Sequence, residues 1–72
     1  MEYNFYLEQK YLTGTGKVEA RILTANEAES MGYEDDYSGR CEGGRVFVDG
    51  FNSRESAEAF VKEDLVNAYL VN

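Results

Sequence analysis

Residues 32 to 44, GYEDDYSGRCEGG, hold most of the side chains in this sequence that could do chemistry. Three consecutive carboxylates, Glu34, Asp35 and Asp36, stand between Tyr33 and Tyr37, and the lone thiol, Cys41, follows. A hard cation is the first ligand such a run suggests. With Glu34 as position one of a calcium loop, Asp36, Ser38 and Gly39 fall at positions three, five and six. Position twelve, however, is Arg45, where a bidentate glutamate is required. Paired carboxyls could also serve as general acid and base, but that chemistry needs two groups fixed across a cleft in unequal environments. Adjacent residues point in different directions, and a chain this short seldom encloses a cleft.

Cys41 sits between Arg40, which favours the thiolate, and Glu42, which opposes it. The chain has no histidine, so a Cys-His pair is impossible, and one thiol can form neither an internal disulfide nor a zinc site. The stretch TGTGK at 13 to 17 has the glycines of a phosphate loop. It lacks the spacing of one and leads into a strand pattern, whereas phosphate cradles open a helix. The expectation is a non-enzyme with no catalytic residue, no cofactor and no metal.

What remains is charge. Fourteen Asp and Glu against seven Lys and Arg leave a net charge of −7, which repels nucleic acid and anionic membranes and attracts basic surfaces. Residues 27 to 42 carry Glu27, Glu29, Glu34, Asp35, Asp36 and Glu42 against Arg40 alone, five of those seven net charges. Tyr33 and Tyr37, flanking the acids, are amphipathic aromatics of the kind that anchor interfaces. These eight residues, Glu27, Glu29, Tyr33, Glu34, Asp35, Asp36, Tyr37 and Glu42, are the expected partner-binding set. The plainer alternative is that the acids simply keep the protein in solution.

The elements that must position this set follow from periodicity. Seventy-two residues with a 43 % apolar share imply one small folded domain, 1–72. In residues 3 to 12, Tyr3, Phe5, Leu7 and Tyr11 alternate with Asn4, Glu8 and Lys10, the period of a half-buried strand; Tyr6 and Leu12 interrupt the polar face, which suggests that it too is partly covered. The glycines of TGTGK turn the chain into a second run, KVEARIL, and an antiparallel hairpin. Thr24 and Glu27 form a capping box with Leu23 and Ala28 placed as a hydrophobic staple, so a short helix is expected over 25 to 31, stopped by Gly32.

Residues 33 to 43 read as loop, and RVFVDGF, 45 to 51, as a third strand. Asn52 or Ser53 caps a last helix, with Glu55 placed to reciprocate Asn52. Its apolar face is Ala57, Phe60, Val61, Leu65, Ala68 and Tyr69. The fold expected is α+β in the order β-β-α-β-α, a three-stranded, mainly antiparallel sheet with the C-terminal amphipathic helix packed on one face. The cluster Leu65, Val66, Leu70 and Val71 is more apolar than one helix face requires.

A very short, acidic, cysteine-poor, motif-free α+β chain resembles, in size and charge alone, the small inhibitory proteins of bacteriophages and mobile elements, among them anti-CRISPR proteins and other DNA mimics. The resemblance implies a protein-binding inhibitor whose carboxylates imitate phosphates: alternate strand residues lie about 6.5 Å apart, on the scale of the phosphate repeat. The implied partner is a protein with a basic surface, such as a nucleic-acid-binding enzyme complex, with no direct contact to nucleic acid or membrane. The alternative is a non-catalytic module that docks, or forms a homodimer, through its sheet and C-terminal helix. The N-terminal MEYNFYLEQK has no basic start followed by an apolar run, and no stretch is long and apolar enough to span a bilayer, so a cytoplasmic location in a host cell is expected.

Overall fold

The alternating pattern of the first strand runs into a hairpin that becomes the centre of a mixed sheet. The computed structural model describes residues 3–71. Strands β1 (Phe5–Leu12) and β2 (Lys17–Thr24) pair antiparallel, with Leu7 opposite Ile22 and Glu8 opposite Arg21. Helix α1 (Ala25–Ser30) follows, then β3 (Tyr37–Cys41), β4 (Gly44–Phe51), helix α2 (Arg54–Glu63) and β5 (Ala68–Leu70). The strand order is β3-β4-β1-β2-β5, antiparallel throughout except for the parallel β2–β5 pair.

Both faces of the central strands are buried, which explains why Tyr6 interrupts a polar face. On one face Tyr6, Leu23, Val46 and Val48 pack with Ala28 of α1; on the other Leu7, Ala20 and Ile22 pack with Ala57 and Val61 of α2. Leu7, Ile22 and Val48 are the largest fully buried side chains, each stabilising the fold by about 1.5–3 kcal/mol through removal of apolar surface from water. Helix α1 is held by the expected capping box: Thr24 Oγ1 accepts from the Glu27 N–H, and Glu27 Oε1 accepts from the Thr24 N–H at 2.9 Å. Leu23 and Ala28 meet in one core cluster, and Gly32 ends the turn at φ 76°.

Two expectations are corrected. The sheet has five strands, not three. Residues 37 to 41, expected as loop, form β3, folded onto β4 through the two-residue turn Glu42-Gly43, where Gly43 supplies φ 87°. YSGRC gives no alternating apolar signal because no residue of this edge strand is buried.

The C-terminal helix does not continue to Tyr69. It ends at the C-cap Asp64, and Asn67, at φ 58°, turns the chain into β5. That left-handed conformation is one asparagine tolerates. The Val18 N–H donates to the Asn67 carbonyl and the Val71 N–H to the Ala20 carbonyl, satisfying backbone groups along the outer edge of β2. Leu65 and Ala68 reach the α2-side core either way, but Tyr69 does not: its hydroxyl donates to Glu19 Oε2 at 3.0 Å. The N-cap of α2 is Ser53, whose hydroxyl accepts from the Ser56 N–H, in place of an Asn52–Glu55 box.

Candidate functional site

The acidic segment leaves α1 at Gly32 and crosses to the free end of β3, so its side chains are distributed by the alternation of the chain. Tyr33 turns inward. Its hydroxyl donates to Glu8 Oε2 at 2.5 Å, and its ring meets that of Tyr37 at 5.1 Å between centroids. Burial first, and the bond to Glu8 second, hold the Tyr33 hydroxyl well above the ordinary tyrosine range. Glu34 and Glu29 are exposed and line a shallow depression with Gly32 and Tyr33.

Asp35 folds back to accept from the Gly50 N–H at 2.9 Å, capping a backbone group on β4 beyond the last β3–β4 pair. Asp36, in the left-handed conformation at φ 62°, faces Asp49 on the α2 side of the sheet. The carboxylates of Asp35, Asp36 and Asp49 all lie within 4.8 Å of one another. Among the described residues these three could share a cation. Two of them already accept hydrogen bonds, Asp35 from Gly50 and Asp49 from the Gln9 amide at 2.8 Å, and a hard cation such as calcium needs six or more oxygens.

The remaining expected residues lie apart. Glu27 is committed to the α1 cap, and the hydrogen bonds from Thr24, backbone first, hold its carboxyl below the ordinary value. Glu42 occupies the β3–β4 turn, at the opposite end of β3 from residues 34 to 36. The structure thus groups Glu29 with Glu34, and Asp35 with Asp36 and Asp49, while separating Glu42 from both groups.

One residue outside the expected set organises the ground beneath Tyr33. Glu8 is only 2 % exposed although charged. Its carboxylate receives the Tyr33 hydroxyl, Arg21 Nη2 at 3.2 Å and Lys10 Nζ at 3.8 Å. Among the described residues these are the only ion pairs, so Glu29, Glu34 and Asp36 face solvent without a neutralising base. The sequence holds a signal for this: a hairpin closed around TGTGK in register sets Glu8 directly across from Arg21.

The opposite end of β3 and β4 carries the contrary charge. Arg40 and Arg45 are cross-strand partners, and Tyr11 pairs with Arg45 on the next strand. Between the two ends Tyr11 and Phe47 make an edge-to-face pair at 5.2 Å, bordering an open groove of about 420 Å³ that reaches Asp36 and Asp49. No helix among the described residues is long and apolar enough to cross a membrane. Compared with family models, with curated proteins and with solved structures, the chain finds no match.

Proposed function

We propose that the protein is a small acidic protein-binding inhibitor of the phage or mobile-element type, docking through the carboxylates at the free end of β3 on a basic surface of a nucleic-acid-binding enzyme complex. The observation that carries this reading is the lack of internal neutralisation: Glu29, Glu34 and Asp36 are exposed and unpaired, while Lys10 and Arg21 are held on Glu8. A basic groove evolved to accept phosphates would attract such a surface through a screened field, giving fast, salt-sensitive association. No group in this reading does covalent chemistry.

The test is capture from a cell lysate on the immobilised protein, with duplex DNA as competitor. The expected result is a nucleic-acid-binding enzyme, released by salt or by the DNA, whose association slows severalfold with the variant E29Q/E34Q/D36N. Equal capture by wild type and variant, or binding indifferent to salt and DNA, would remove the proposal. A second reading, a non-catalytic module docking through its C-terminal segment, is favoured by Val66 and Val71, which are 78 % and 50 % exposed beside β5. Loss of the captured protein with V66D/V71D, and not with the acidic variant, would select it.

A further inference from the structure

Strand β3 ends the sheet, and nothing among the described residues pairs with its outer side. The turn Glu42-Gly43 makes Cys41 and Gly44 the hydrogen-bonded pair next to it, so Gly39 also directs its backbone groups toward β4, while the Tyr37 N–H donates to the Glu34 carbonyl, and Ser38 and Arg40 direct theirs outward. An edge of this kind is a template for another strand unless something blocks it. The five residues YSGRC contain no proline, and the charge they carry, Arg40, is arranged in an unusual way.

On the α2 side of the sheet three rows cross β4 and β3. Arg45 stands opposite Arg40, Phe47 opposite Ser38, and Asp49 beside Asp36. Like charges directly opposite one another destabilise a sheet, yet both ends of this strip have them, with opposite signs. We infer that β3 pairs antiparallel with β3 of a second copy of this chain, about a two-fold axis at Ser38. In that register Arg40 faces Asp36 of the second copy and Asp36 faces its Arg40, so each outer row reads Arg45, Arg40, Asp36, Asp49 across the joined sheets. Both like-charge pairs thereby gain an opposite neighbour. On the α1 side the register sets Tyr37 across from Gly39 of the second copy, the glycine over which that copy's own Tyr37 ring lies.

The two helices do not obstruct the pairing, because α2 packs over β1, β2, β4 and β5 and α1 packs against β1 and β2, on the strands inside β3. One five-residue strand per copy buries far less than the roughly 800 Å² per partner of a standard stable interface. The dimer is accordingly weak, concentration-dependent and weakened by salt. The pairing shares Asp36 with the docking proposed above, but Arg40 and Ser38 belong to neither surface considered there, so R40E and S38P test it independently of that docking.

Sedimentation over a concentration series tests it, with circular dichroism reporting folding. Wild type is expected to dimerise at low salt. R40E and D36R, each placing like charge across the axis twice, are expected to weaken dimerisation about tenfold or more. An equimolar mixture of the two restores it as a heterodimer, because Glu at 40 then meets Arg at 36 and Asp36 meets Arg40. S38P, which removes the outward N–H at the axis without altering charge, is expected to abolish pairing and covers the case in which D36R folds poorly. A wild type that stays monomeric throughout, a dimer indifferent to R40E and S38P, or a folded mixture that fails to reassociate would overturn the inference.

Discussion

Glu8 and the Asp35–Asp36–Asp49 group both bring carboxylates close to other side chains, and they differ in what the sheet register sets beside them. At Glu8 the antiparallel β1–β2 pairing delivers Arg21 from directly opposite, while Tyr33 and Lys10 complete the shell. A charge that would be costly to bury is thereby compensated. At the β3 end the chain brings three acids within 4.8 Å, and the partners are a backbone N–H and a glutamine amide, neither of them a cation. The first arrangement is finished within the chain; the second presents its charge outward. Residue type alone does not separate a structural acid from a contact acid, whereas the neighbour across the strand does.

Removing the carboxylate at the finished site should have the largest effect. E8A leaves the Arg21 guanidinium without its carboxylate over a core and the Tyr33 hydroxyl without its acceptor, so a loss of about 2–4 kcal/mol is expected in urea denaturation. Y33F deletes one donor and retains both ion pairs, and should cost about 1–2 kcal/mol. The same pair of proteins carries a pH signature. The folded pKa of Tyr33 is raised above that of the unfolded chain, so its contribution is fully present below about pH 10 and is lost as pH rises beyond that toward the folded value. Stability of the wild type should therefore fall more steeply above about pH 10 than that of Y33F; parallel curves would show that the Glu8–Tyr33 bond contributes little.

Smaller, and opposite in sign, is the effect expected at the unfinished site. D36N removes one of three mutually repelling acids and keeps a residue that tolerates the left-handed backbone. It should raise stability by a few tenths of a kcal/mol at low salt, and the gain should vanish at high salt. A loss on this substitution would mean that Asp36 has a compensating partner and that the contrast between the two regions is misdrawn.

Much of the fold could be read from neighbours close in sequence. The alternation of β1 and β2, the Thr24–Glu27 box, the Gly32 stop and the apolar spacing of Ala57, Phe60 and Val61 are patterns of two to four residues, and each is realised where it was expected, except that Tyr3 precedes β1 and packs with the Tyr6 cluster instead of on the Leu7 face. Strand β3 was illegible because an edge strand with no buried residue has no hydrophobic period to display. The helix expected to run past Asp64 failed for a different reason. Leu65 and Ala68 fit the same core from a helix or from a strand, and the unpaired backbone of β2 decided for the strand.

The candidate site divides along the same line. That residues 27 to 42 are acidic, lack histidine and bear no metal or nucleophile motif is written in the chain itself, since composition and spacing need no partner to be read. Which acids stand together was decided only when β4 brought Asp49 beside Asp36, when β2 set Arg21 across from Glu8, and when β3 carried Glu42 to the far end of the sheet. Charge and period are properties of single residues and their near neighbours, but compensation is a property of pairs, and apart from Glu8–Lys10 the pairs here span 13 or more positions along the chain.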